Sequence, residues 1–128
     1  SSSPSAMRPK APFVCGEDYT EENLVVELNV NSIDCTTFGP TQFRGQNQVL
    51  ECFGGSITND DVSEIILAAG GTTIQNCNFF SDFAAVGILV AEAFADTTST
   101  GEFLIDNVLV DGSTTNTLTG LEIRLSSS

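Results

Sequence analysis

Histidine and tryptophan are absent from this sequence of 128 residues, and it holds one tyrosine, one methionine and four basic side chains. Without histidine the chain lacks the commonest general base and a preferred metal ligand. With no tryptophan and only Tyr19, a groove that stacks sugar rings has little to build on. Four Lys and Arg against 17 Asp and Glu leave a formal charge of −13. A surface of that sign repels phosphate backbones and anionic headgroups, which argues against nucleic acid and membrane surfaces as partners. The longest apolar stretch, around Ala84 to Ala91, is interrupted by Gly87. Nothing approaches the roughly 18 residues of a spanning helix, so no membrane insertion is expected. Neither an initiator methionine nor a charged-then-apolar leader opens the chain, which reads as a mature product or an excised segment.

What is present makes one domain, 41% hydrophobic, with a modest core. Residues 1–12, "SSSPSAMRPKAP", and 126–128, "SSS", are serine-rich and apolar-poor, the composition of a linker or an O-glycosylated stalk. Ser1, Ser2, Ser3, Ser5, Ser126, Ser127 and Ser128 are the candidate O-glycan sites. Cys15, Cys35, Cys52 and Cys77 lack the close pairing of a zinc site. Two disulfides in an oxidising, extracellular or cell-surface setting are expected, with buried free thiols as the other reading.

The domain, residues 13–125, repeats itself. "TTIQNCNFF" at 72–80 returns as "EFLIDNVLV" at 102–110, and stepping back 24 residues twice from Ile74 reaches Leu50 and then Val26. Val26, Leu50, Ile74 and Ile105 therefore form one column. Ile33 stands over Ile57, seven residues further on, and Phe79 over Val110, five further on. A second column aligns Ile65, Ile88 and Leu121, then Leu67, Val90 and Ile123, with Phe43 in the first layer. Alternation of period two between Gly, Asn, Asp and Ser clusters reads as strands. The 31-residue step from Ile74 to Ile105 places an insertion at "EAFADTTST". An antiparallel sandwich explains strands and cysteines but not the shared period.

The "I-x-N-x-x-F/V" phrases and the "G-I/L-x-V/I" strands, over residues 24 to 125, resemble the right-handed parallel β-helix (pectate-lyase-like) superfamily. The resemblance implies an all-β chain of about four coils, in which residues 13–24 cap the first coil and are pinned through Cys15. It also implies that Asn76 and Asn107 stack at an inward turn and bond along the axis, asparagine being tolerant of the left-handed conformation. Phe53, Phe79, Phe80, Phe83, Phe94 and Phe103 are expected to pack in the core or cap. The pairings Cys15–Cys35 and Cys52–Cys77 follow, the second joining neighbouring coils. Its spacing of 25 exceeds the repeat by one, so a turn must intervene for both sulfurs to share a face.

Chemistry is sparse. Eliminating members of that superfamily need a basic residue beside calcium-binding acids, and Arg44 and Arg124 each stand alone inside the coils. Hydrolytic members use aspartates with histidine, which is missing. No catalytic residues and no cofactor are therefore expected, with a polysaccharide lyase or hydrolase as the alternative. Asp60, Asp61 and Glu64, beside Asn59, offer oxygen ligands of the kind calcium takes, against the reading of a solvated acidic loop. Glu27, Glu51, Gln75 and Asp106 align in one outward column, where a cation would relieve repulsion unless the side chains splay into water.

The final strand, Gly120, Leu121, Glu122, Ile123, Arg124 and Leu125, has little chain after it to cover it, so it is the expected assembly edge. The functional expectation is a non-catalytic extracellular structural module, a repeating filament subunit joined head to tail with itself. A carbohydrate-binding β-helix domain, with glycans as partners, is the alternative.

Overall fold

The computed structural model describes residues 8–60, 63–81, 86–91, 103–111 and 119–124. Twelve strands follow in order: β1 (Lys10–Pro12), β2 (Asp18–Tyr19), β3 (Val25–Glu27), β4 (Ser32–Asp34), β5 (Thr41–Phe43), β6 (Val49–Glu51), β7 (Ser56–Asn59), β8 (Ile65–Leu67), β9 (Thr73–Ser81), β10 (Val86–Ala91), β11 (Leu104–Asp111) and β12 (Thr119–Arg124). Among the described residues there is no helix, and every strand pair is parallel. Parallel neighbours need long crossovers rather than tight hairpins. The common period near 24 residues supplies them, and the antiparallel sandwich is excluded.

Two ladders run side by side in a curled parallel arrangement. The first is β1-β3-β6-β9-β11, and the second is β2-β5-β8-β10-β12. In the first, Ala11, Val26, Leu50, Ile74 and Ile105 are in register. In the second, Ile65, Ile88 and Leu121 share a column, as do Tyr19, Phe43, Leu67, Val90 and Ile123. Val26, Leu50, Ile74, Phe43, Ile65 and Leu67 are fully buried between the ladders. Truncating one of them, such as Leu50→Ala, costs about 2–5 kcal/mol through lost transfer energy and a cavity.

The sevens and fives of the sequence mark a change in the corner. β3 and β4, like β6 and β7, are separate strands on either side of a protruding corner. One layer later the path straightens, and β9 pairs with both β6 and β7, placing Phe79 on Ile57. The bend within β9 is Asn76 at φ 57°, and that within β11 is Asn107 at φ 54°. The single left-handed residue also settles the extra step in the cysteine spacing. It turns Cys77 inward onto Cys52, with the Cα atoms 4.9 Å apart. Cys15 and Cys35 are joined at 5.3 Å.

The N-terminal part differs from the expectation. Lys10–Pro12, grouped by composition with the serine-rich linker, forms β1 and pairs with β3. Asp18–Tyr19, within the expected cap, forms β2 and pairs with β5. Both continue the ladders by one layer. Tyr19 anchors that layer: its hydroxyl donates to Pro12 O and accepts from Val14 N–H, each at 2.8 Å, and its ring stacks on Phe43 at 5.3 Å. Phe79 is buried and Phe103 packs against the core. Phe53 and Phe80 are exposed, a departure from the core role expected of them. Phe83, Phe94 and the insertion at "EAFADTTST" lie outside the described residues.

Candidate assembly edges

Backbone bonds alternate along each parallel strand, one residue facing the layer before and the next facing the layer after. Val25, Val49, Thr73 and Leu104 donate their N–H groups backward, to the carbonyls of Pro9, Leu24, Gln48 and Thr72. The same alternation turns Glu27, Glu51, Gln75 and Asp106 backward, and Val26, Leu50, Ile74 and Ile105 forward. Each end of the ladder then has a defined set of backbone groups.

At the β1 end the outward-facing residues are Lys10 and Pro12. Pro12 occupies the column of Glu27, Glu51, Gln75 and Asp106, and it has no N–H to give. The edge strand is three residues long and carries a lysine and a proline, features that block pairing by another strand. Arg8 closes the same end. Its Nε donates to Asn23 O at 2.9 Å and its Nη2 to Asn47 O. These carbonyls belong to a column of left-handed residues, Asn23, Asn47 and Gly71, at φ 63°, 59° and 79°. Sequence reasoning missed this column, although its members are spaced by 24 and are of the types that tolerate positive φ.

The outward column is held by amides as well as by charge. Glu51, only 9% exposed, accepts from Gln75 Nε2 at 2.8 Å, from Asn76 Nδ2 at 3.0 and 3.1 Å, and from Phe53 N–H at 2.8 Å. Asn107 Nδ2 donates in turn to Asn76 Oδ1 at 2.8 Å. Glu27 lies 3.8 Å from Lys10 Nζ. At Glu27 and Glu51, side-chain donors from an adjacent layer face the carboxylate. Asn76 and Asn107 do bond along the axis, but Asn76 is half-buried and Asn107 exposed, so their stack is not inward.

At the other end β11 pairs with β9 and β12 with β10, and among the described residues nothing pairs with their far edges. Gly120, Leu121, Glu122, Ile123 and Arg124 lie in β12, and Leu125 is outside the described residues. In the second ladder Gln42, Arg44 and Ala68 donate backward. The alternation makes Ile123 face the open edge. β11 was not singled out from the sequence, yet it is the longer of the two edge strands.

Asp60 closes a turn with Ser63, whose hydroxyl accepts from Asp60 N–H at 2.6 Å and donates to Asp60 Oδ1 at 2.9 Å. Asp61 lies outside the described residues, and Glu64 O accepts from Thr41 N–H in the ladder. Among the described residues no three His, Cys, Asp or Glu side chains cluster as a metal site. The candidate O-glycan serines, Ser1, Ser2, Ser3, Ser5, Ser126, Ser127 and Ser128, all lie outside the described residues. No protein-family profile, curated protein or solved structure matches this chain.

Proposed function

We propose that this chain is a non-catalytic extracellular structural module, a short right-handed parallel β-helix that enters an assembly by strand addition at its β11/β12 end. The observation that carries this reading is the pair of edge strands there, each bonded on one side only among the described residues. Such edges draw affinity from main-chain hydrogen bonds. The two disulfides fit an oxidising, extracellular setting. Head-to-tail polymerisation of identical copies meets an obstacle at Pro12. Set in register on β11, a second copy would leave Ile105 C=O facing a proline nitrogen. We therefore assign the contact to a strand other than β1.

A carbohydrate-binding module is the second reading. It is favoured by Phe53, 64% exposed at φ 52°, which walls a groove of about 460 Å³ over Val25 and Val49. The polar groups around that groove, Arg8, Lys10, Glu27, Glu51 and Gln75, already bond to one another or to the backbone, so we place it second.

The test uses a labelled, neutral peptide of alternating Thr and Val. Wild-type chain should bind it saturably, and Ile123→Pro, which removes an outward N–H while keeping the bonds to β10, should bind it less. Neutral and uronic polysaccharides should be neither cleaved nor bound. Equal binding by both proteins, or turnover of a polysaccharide, contradicts the proposal.

A further inference from the structure

We infer that the β11 edge is built for a strand carrying hydrogen-bond donors at two successive positions, an amide or cation followed by an asparagine. This rests on the strand-addition reading above and specifies its partner. The argument comes from how β9 completes β6 and β11 completes β9; Glu27, opposite Glu51, is met instead by Lys10 from the layer before it. Glu51 presents acceptors that Gln75 and Asn76, the aligned residues one layer on, fill with side-chain amides. Asn76 presents Oδ1, which Asn107 fills one layer further. At the last layer the same two positions hold Asp106 and Asn107. Among the described residues nothing donates to the Asp106 carboxylate or to Asn107 Oδ1. Both are exposed, at the edge where Ile105 also turns its N–H and C=O outward.

The edge thus offers two side-chain acceptors and a backbone donor–acceptor pair in the register that β6 offers to β9. An acidic strand would set carboxylate against Asp106, and like charges directly opposite are destabilising. A second copy presenting β1 would bring Pro12 and the core residue Phe13 to these positions, without a side-chain donor at either. A strand with Gln, Lys or Arg opposite Asp106 and Asn opposite Asn107 repeats the amide-to-carboxylate bond between β6 and β9 and the asparagine pair between β9 and β11. The charge of −13 on the chain adds a long-range preference for a basic segment.

Three labelled peptides test this against the full 128-residue chain. The donor peptide copies residues 72–80 with Cys77→Ser, flanked by lysines for solubility. The acidic peptide is identical except for Gln75→Glu and Asn76→Asp, and the third copies residues 8–14. The donor peptide should bind by fluorescence anisotropy about tenfold or more tightly than the acidic one, and the third should not bind. The preference should disappear in a chain carrying Asp106→Ala and Asn107→Gly, the glycine retaining the left-handed bend, with folding checked by far-UV circular dichroism. Equal binding of donor and acidic peptides overturns the donor rule while leaving strand addition intact. Failure of every peptide, together with the neutral Thr/Val strand, overturns strand addition itself.

Discussion

Asn76 donates its side-chain amide to both oxygens of Glu51, one layer away, from a backbone held at φ 57°. A carboxylate that is 9% exposed thereby closes two corners at once, its own through Phe53 N–H and the next through Asn76. Glu51→Ala should leave those donors partly unsatisfied and lower stability by about 3 kcal/mol. Glu51→Gln should lose less, because one acceptor oxygen remains. Denaturant unfolding of the disulfide-intact protein measures both. Equal losses would mean that Glu51 acts by packing alone.

Gly71 is the third member of the column begun by Asn23 and Asn47. At φ 79° a side chain is strained, and an added Cβ would run into Asn47 Oδ1. Gly71→Ala is expected to cost about 1–3 kcal/mol. Asn47→Gly in the same chain removes the contact but not the strain, so it should restore part of the loss. A double-mutant cycle showing no coupling would place the cost in the backbone alone.

The first ladder was legible because its period is carried by large apolar residues. Val26, Leu50, Ile74 and Ile105 must face inward, and a slip of one residue would expose them all. The offsets of seven at Ile33 and Ile57 and of five at Phe79 and Val110 were legible for the same reason, whereas the placing of Phe79 on Ile57 came from the structure. β1 was not, since Lys10, Ala11 and Pro12 carry no apolar alternation and the prolines read as linker. The edge at β11 was hidden too. Asp106 and Asn107 are ordinary polar residues in the sequence. They become a pair of acceptors unfilled among the described residues only once Glu51, Gln75 and Asn76 are seen to complete one another.

Tyr19 gives a pH dependence. Burial raises its pKa above the ordinary value near 10, the Glu17 charge adds to this, and the bond from Val14 N–H acts in the opposite direction. A raised folded pKa stabilises the protein fully below the unfolded value, and that contribution is lost as pH rises through the folded value. The first layer should therefore loosen in alkali above pH of about 10. With one tyrosine and no tryptophan, phenolate absorbance reports this group cleanly. A titration midpoint at or below the free-tyrosine value would contradict the anchoring role.

Pro12→Gln should convert the blocked edge into a receptive one. The substitution restores the missing N–H for Ile105 C=O of a second copy and adds an amide opposite Asp106. At high protein concentration the variant should form linear polymers by sedimentation velocity and negative-stain microscopy, and the wild type should not. Identical size distributions for the two would show that Pro12 does not limit head-to-tail growth.

The central claim is that β11 is an open rung of a parallel ladder, and amide hydrogen exchange reads it residue by residue. Leu104 N–H is bonded to Thr72 O at 3.0 Å, whereas Ile105, its neighbour, faces away from β9. In the isolated chain, NMR-detected exchange should be slow at Leu104 and fast at Ile105, and the donor peptide should slow Ile105 selectively. Equal protection of both amides in the isolated chain would mean that the edge is already covered, and would contradict the account.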